Sequence, residues 1–211
     1  MSTAQTAFES VFNKADECTI PEMKDFYVTL PKHGYEVVNE ADELESINTS
    51  TLMKAFLEDG LVKEWQLQGG AFDFEETSWL KFVDEKAPED KILCKRINMV
   101  TPIPKIPMCA DKTRVIVYYW LRVEKDGSIL LQSLSQSLDA PFCTYFTNAE
   151  RAVFRDAKDE NGKECVVMKK ECGCNFVKFM MMKSQVTKSV ASSSAEGTTF
   201  LEKALVKITQ A

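Results

Sequence analysis

Hydrophobic and polar residues alternate with different periods in different parts of the chain. Hydrophobic residues three and four positions apart predict amphipathic helices over residues 4–18, 52–57 and 200–208. Pro21 is expected to block continuation of the first helix. Short runs rich in β-branched and aromatic residues predict strands over residues 26–30, 34–38, 62–67, 72–75, 78–83, 92–100, 114–123, 128–135, 149–155, 164–170 and 176–182.

Tight turns between these runs predict the relative direction of neighbouring strands in the sheet. Lys125-Asp126-Gly127 follows the strongest strand, and a second turn, over residues 159–162, separates two later strands. Connections this short join antiparallel neighbours. Because the helices are segregated from the strands, the order predicts the α+β class. We find no linker or internal repeat and expect one domain over residues 1–211.

Composition and charge narrow the class of protein. Hydrophobic residues make up 45% and charged residues 27% of the chain, and its net charge is -6, which disfavours a nucleic-acid partner. No apolar run reaches the roughly 18 residues that cross a bilayer. The start, Met1 to Ala7, lacks the features of a secretory signal, and the odd number of cysteines argues against a disulfide framework. We therefore expect a cytoplasmic monomer.

The order of several loose motifs resembles a known family. Residues 102–111, with three prolines and Asp111, are followed by the Val- and Tyr-rich strand to Trp120 and by Asp126-Gly127-Ser128. Glu150-Arg151-Ala152 and Glu64-Trp65 also fall where that family has short signatures. In this order the chain resembles the START domains, the lipid-transfer domains related to steroidogenic acute regulatory protein.

The resemblance implies a fold and a function. START domains have a helix-grip fold, in which a curved antiparallel sheet wraps around a long C-terminal helix and leaves an internal apolar tunnel. The implied function is to bind one hydrophobic lipid and to transfer it between membranes, with transient contact to the membrane surface. The ligand stays open among a sterol, a phospholipid, a ceramide and a fatty acid. A lipid-responsive regulatory sensor is an alternative.

Strand parity and helical spacing select the residues expected to line the lipid cavity. One inner face combines Val117, Tyr119 and Leu121, and a second, without charge, combines Val177, Phe179 and Met181. The apolar stripe of the last helix is expected to form the opposite wall; it consists of Phe200, Leu201, Ala204 and Leu205. The alternative for all of these side chains is plain core packing.

Arg96 and the loop segments complete the predicted lipid site. Lys95 and Arg96 lie on opposite faces of one strand, so one of them faces inward or toward the helix, where it needs a carboxylate or a ligand phosphate. Arg96 is the candidate, and an ion pair at the surface is the alternative. Candidate gates are the loop Asp139 to Thr147, with Pro141, Phe142 and Tyr145, and the stretch Ser189 to Thr199. Aromatic residues in the first gate suit a membrane interface.

Few residues in this sequence indicate a catalytic or metal-binding site. The one histidine, His33, falls in a predicted turn, and no hydrolase, phosphate-loop or zinc-protease motif is present. Cys165, Cys172 and Cys174 lack the spacing of a zinc knuckle, so small buried thiols explain them better than a metal site. We expect no enzyme activity, no cofactor and no metal; the alternative is a cyclase or hydrolase of an apolar substrate on the same fold.

Overall fold

The computed structural model describes residues 3–31, 34–103, 110–139 and 142–209. The helices are α1 (Thr3–Phe12), α2 (Pro21–Thr29), α3 (Thr49–Leu57), α4 (Leu61–Gln68) and α5 (Lys183–Thr209). The strands are β1 (Glu36–Glu45), β2 (Phe72–Glu76), β3 (Leu80–Phe82), β4 (Ile92–Pro102), β5 (Lys112–Val123), β6 (Ile129–Ser137), β7 (Phe146–Lys158) and β8 (Glu164–Phe176).

The strands form a curved, open antiparallel sheet that wraps around α5. Its order is β1-β8-β7-β6-β5-β4-β2, with β3 paired to the outer part of β4. Consecutive strands from β4 to β8 are neighbours. Among them, β5–β6 and β7–β8 are the two hairpins that the turns predicted. The predicted α+β class and the helix-grip fold are confirmed. Among the described helices, none combines the length and hydropathy that crossing a bilayer requires.

The concave face of the sheet carries the larger hydrophobic core. Val117 and Leu121 of β5 pack there with Leu201 and Leu205 of α5. Helices α1, α3 and α4 extend the same core, and α4 lies beside α5. Burial of this apolar surface fixes the sheet, the short helices and the second half of α5 as one packed unit.

The convex face carries a second hydrophobic cluster, which sequence reasoning did not anticipate. Tyr118 and Trp120 point to this side, opposite the predicted inner face, and α2 covers them. The ring of Tyr27 lies 5.5 Å from that of Trp120, and the ring of Phe26 lies 4.9 Å from that of Tyr118. Aromatic side chains therefore hold α2 against the outside of the sheet.

Two segments predicted as strands are helices. Residues 26–30 lie largely in α2, which begins at Pro21, because proline fits the first turn of a helix as well as it ends one. Residues 62–67 lie in α4, and the buried residues Leu61, Val62 and Trp65 are on the side of this helix that faces the core. Both predictions were wrong because a short apolar run fits either period, and the tertiary contacts decide between them.

The chain between β8 and α5 also differs from the prediction. The predicted strand over residues 176–182 is wrong, since β8 ends at Phe176 and the described chain from there to Thr209 contains no further strand. Helix α5 begins at Lys183 and is therefore much longer than the predicted helix over residues 200–208. It includes the Ser- and Ala-rich stretch, whose low hydrophobicity hid its helical period.

Candidate functional site

The structure brings most of the predicted site residues together on the concave face. The side chains of β5 and those of α5 belong to one buried cluster that contains Val117, Tyr119, Leu121, Leu201, Ala204 and Leu205. Phe200 packs against this cluster and is half-buried. The position of Val117, Tyr119 and Leu121 agrees with the face that strand parity predicts for them. A role toward a ligand stays a prediction for each of them.

A row of polar side chains crosses the sheet beside this cluster. Tyr119 lies opposite Ser133, Ser133 opposite Glu150, and Glu150 opposite Cys172, so all four share the concave face. We call these residues the polar row. Sequence reasoning placed only Tyr119 of this row on the inner face and missed the other three members. Period-two alternation along β6, β7 and β8 could have revealed their face once the hairpin register was known.

Lys170 adds a buried cation next to the polar row. Its side chain is almost completely buried, with 1% relative exposure. The ammonium donates a hydrogen bond to the Ser194 carbonyl oxygen over 2.8 Å, and it lies 3.3 Å from Oε2 of Glu150. It also lies 5.1 Å from the ring centroid of Trp65. A carboxylate, a carbonyl dipole and an aromatic face together compensate the loss of water around this charge.

Side chains from three elements hold the middle of α5 against the sheet. Besides Lys170, the indole of Trp65 donates to the Gly197 carbonyl oxygen over 2.7 Å, and the Asn39 amide donates to the Thr198 hydroxyl. A Cβ on Gly197 would lie 3.1 Å from Nζ of Lys170. The absence of a side chain at this position lets the buried ammonium approach the helix backbone.

Tyr119 presents a hydroxyl at the boundary between the apolar cluster and the polar row. The amide nitrogen of Gln66 donates to this hydroxyl over 2.8 Å. Burial raises the pKa of Tyr119 above its ordinary value, with Glu150 adding to the rise. The phenol therefore stays protonated at neutral pH and keeps a hydrogen to donate.

The two halves of α5 differ in how closely they pack. The buried residues of the helix are Ser194, Thr198, Leu201, Ala204 and Leu205, so none falls within residues 183–193. On this first half, Thr187 and Val190 are half-buried, as are Asn148 and Cys174 of the sheet. The first half of α5 therefore packs less closely against the sheet than the second half, whose side chains are part of the core.

Two parts of the predicted cavity lining are corrected by the structure. Val177, Phe179 and Met181 are 68%, 81% and 91% exposed, because the chain leaves the sheet at Phe176 and they lie on the connection to α5. Arg96 pairs with Tyr118 and therefore lies on the convex face. The inward cation of that strand is Lys95, whose ammonium is 2.7 Å from Oε2 of Glu76.

The predicted gate segments occupy different places. Asp139 is tied to β5 by the Arg114 guanidinium, whose hydrogen bonds lower the pKa of that carboxyl to about 2. Phe142 and Tyr145 follow, with Phe142 exposed, and the Tyr145 carbonyl oxygen accepts a hydrogen bond from the Val177 amide. Ser189 to Thr199 belongs to α5 rather than to a loop. Pro141 and His33 lie outside the described residues.

The three cysteines considered as metal ligands do not converge. Cys172 and Cys174 share the concave face, while Cys165 lies at the far end of β8 and pairs with Glu45 of β1. Burial raises the pKa of Cys172 to about 11, so its thiol is protonated at neutral pH. Within the described ranges, no group of three or more His, Cys, Asp or Glu side chains could hold a metal ion.

Comparison with known proteins agrees with this geometry. The model of the family described as VASt, the VAD1 Analog of StAR-related lipid transfer domain, matches residues 40–193. The match runs from β1 through β8 and the first half of α5, more than half of the chain. No curated protein matches the sequence. The expectation of a START domain is thereby corrected to a related lipid-transfer domain with the same kind of fold: the chain belongs to the VASt family.

Proposed function

We propose that this protein binds one lipid molecule between α5 and the concave face of the sheet and carries it between membranes. VASt membership indicates a function of the lipid-transfer type. The observation that supports a ligand at this place is the loose packing of the first half of α5, since no side chain of residues 183–193 is buried. A lipid there would exclude water from the space between the first half of α5 and the sheet.

The surroundings suit a molecule with an apolar body and a hydrogen-bonding end. Val117, Leu121 and Leu201 offer apolar contact, and each Å² of apolar ligand surface removed from water contributes roughly 25 cal/mol. Tyr119 and the pair of Glu150 and Lys170 offer donors and acceptors to a head group. A sterol, a phospholipid, a ceramide and a fatty acid all meet this description.

Exchange of the lipid requires an opening, and the first half of α5 is the part that can move at low cost. Its residues contribute no buried side chain, whereas Ser194 to Leu205 are anchored by core packing and by the bonds to Lys170 and Trp65. We therefore propose that α5 opens on the Lys183 side and pivots near Gly197. Lids of this kind move on the microsecond to millisecond timescale.

The remaining expectations follow from the same proposal. A carrier needs no catalytic residue, cofactor or metal, and we propose a non-enzymatic monomer without a nucleic-acid partner. Packing of α1 and α2 into the two hydrophobic clusters supports one domain over the whole chain. The six cysteines in the described ranges are all free thiols, which supports a reducing, cytoplasmic setting.

Native mass spectrometry tests the proposal directly. The purified chain, incubated with vesicles that contain a sterol, a phospholipid, a ceramide and a fatty acid, is expected to gain the mass of one lipid, identified after organic extraction. Tyr119→Trp should reduce this loading, because the larger ring fills space beside the polar row. Tyr118→Trp is the matched control on the convex face and should load normally. A chain that stays empty would contradict the proposal.

Membrane contact is proposed for an exposed apolar surface at the end of the sheet. This apolar tip consists of Phe142, Val177, Phe179, Met181 and Met182, each more than half exposed. Lys178 and Lys183 flank it, with their ammonium groups over the rings of Tyr145 and Phe176. Exposed apolar side chains between lysines suit the interface of an anionic bilayer. The tip lies where α5 begins, next to the proposed opening.

Phe179→Asp is expected to weaken binding to anionic vesicles about tenfold, because it removes one inserted ring and adds a repelled charge. Leu67→Asp is the control, since Leu67 is also an exposed hydrophobic residue, at 41%, but lies on α4. Co-sedimentation with vesicles at two salt concentrations measures the effect. Equal losses for the two variants would show that the apolar tip is not the contact surface.

A further inference from the structure

A groove on the convex face, opposite the proposed lipid site, has the lining of an anion-binding site. It has a volume of about 320 Å³ and is lined by Tyr27 and Tyr35, by Gln132 of β6 and by Arg122 and Arg151 of β5 and β7. A second groove of about 580 Å³ adjoins it and shares both arginines. The sheet separates both grooves from α5, so this site is distinct from the concave face.

Positive charge dominates the smaller groove although the whole chain is acidic. Lys86, Arg122 and Arg151 line it, against one carboxylate, that of Asp84. The net charge of the chain is -6, so a local excess of cations is a departure from the average surface. Neighbouring carboxylates hold Arg122 in place: its Nε is 2.7 Å from Glu124 and its Nη1 is 3.4 Å from Asp90. The guanidinium has further N–H donors beyond these two contacts, and no other hydrogen bond of the Arg122 side chain is found among the described residues.

Arg151 has a buried guanidinium nitrogen, Nε, that is left without a hydrogen-bond partner in the described part of the chain. Its one ion pair there joins Nη1 to Glu171 across 4.0 Å, which is beyond hydrogen-bond distance. A buried guanidinium N–H without an acceptor is costly, and a bound acceptor would remove that cost.

Two further buried donors lack partners in the same region. The Trp120 indole and the Tyr35 hydroxyl have none among the described residues. In the sheet register Trp120 lies opposite Gln132, and Gln132 lies opposite Arg151, so these side chains form one row across β5, β6 and β7. Tyr35 lines the groove over this row. Burial raises the pKa of Tyr35 to about 12, which keeps its hydroxyl a donor at neutral pH.

We propose that this groove binds a phosphate group, held by Arg151 with Tyr35 and Arg122, which also line the groove, as further donors. The unsatisfied nitrogens are donors only, so the ligand must bring acceptors; a phosphate offers several and matches the planar guanidinium in a two-point contact. The phosphate belongs either to a free phosphorylated compound or to a phospholipid head group. This inference does not depend on the proposed lipid cargo.

A titration of the full chain with inorganic phosphate tests the site. Two-dimensional ¹H–¹⁵N spectra report the Trp120 indole and the arginine Nε–H signals at constant ionic strength. We expect both the Trp120 and Arg151 signals to shift with a common saturation curve, and Arg151→Gln to weaken that binding about tenfold or more. Arg151→Lys should also weaken it, because an ammonium keeps the charge but loses the two-point geometry.

Arg114→Gln is the matched control. Arg114 also lies on the convex face of the sheet, but at the end of β5 remote from Arg122, and it pairs with Asp139. This variant should bind phosphate as the unmodified chain does. Shifts that stay linear with phosphate, or that Arg151→Gln leaves unchanged, would overturn the proposal.

If phosphate binds, vesicles with and without phosphatidic acid identify the source of the phosphate group. A loss of vesicle binding in Arg151→Gln assigns it to a lipid head group, and unchanged vesicle binding assigns it to a soluble compound. Lipid loading by mass spectrometry should be the same in all variants, which separates this site from the concave one.

Discussion

Lys170→Met is expected to lower the free energy of unfolding by about 3 kcal/mol. The substitution keeps the length of the side chain but removes the charge that Glu150, the Ser194 carbonyl and the Trp65 ring surround. It leaves the Glu150 carboxylate without its cation, and Glu150 is 30% exposed, so water relieves part of the cost. For a chain of this size the melting temperature should fall by about 6–12 °C.

Urea and thermal unfolding measure this effect, and the chain supplies its own control. Lys169 is the adjacent residue but has a 36% exposed side chain and pairs with Glu40 and Glu171 at 3.5 Å. Lys169→Met should change the stability by less than about 0.5 kcal/mol. The double variant Lys170→Met with Glu150→Gln should recover part of the loss, since no charge stays unpaired. If Lys170→Met and Lys169→Met were equally stable, the buried pair would not hold α5.

Leu201→Ala should also destabilise the protein by about 3 kcal/mol, because it opens a cavity where α5 meets the concave face. Leu201 is completely buried in the main cluster. Val206 lies five residues further along the same helix and is 51% exposed, so Val206→Ala should cost less than about 0.5 kcal/mol. Chemical denaturation compares the two variants, and similar losses would contradict the packing of α5 described above.

Hydrogen exchange extends this test to the proposed opening of α5. In the unmodified chain the amides of residues 183–193 should exchange faster than those of residues 198–209, because only the second part of the helix is anchored by buried side chains. Val190→Ala in the first half should cost less stability than Leu201→Ala, since Val190 is only half-buried. Uniform protection along α5 would contradict a pivot near Gly197.

The two faces of the sheet divide the proposed roles. The concave face, with Tyr119, Glu150 and Lys170, lies beneath the helix and suits an enclosed ligand. The convex face carries α2 and the groove around Arg151, which is open to solvent and suits a soluble or head-group phosphate. Because successive residues of a strand point to opposite faces, β5, β6 and β7 serve both sites at once.

The sequence by itself determined the central sheet and the side chains that its strongest strand turns inward. The hairpin turns and the alternation from Arg114 to Val123 predicted antiparallel neighbours and placed Val117, Tyr119 and Leu121 on the face that α5 covers. These features are local, since turn chemistry and period-two alternation act over a few residues.

Only the tertiary structure decided the ambiguous segments and the polar contacts. The short segment over residues 62–67, predicted as a strand, is part of helix α4 because only one of its sides packs against the core. The register between β4 and β5 turned Lys95 inward and Arg96 outward, and no short turn in the sequence between these strands fixes that register in advance. Lys170 meets Glu150, Trp65 and Ser194 from distant parts of the chain, and such contacts exist only after the sheet has curved around α5.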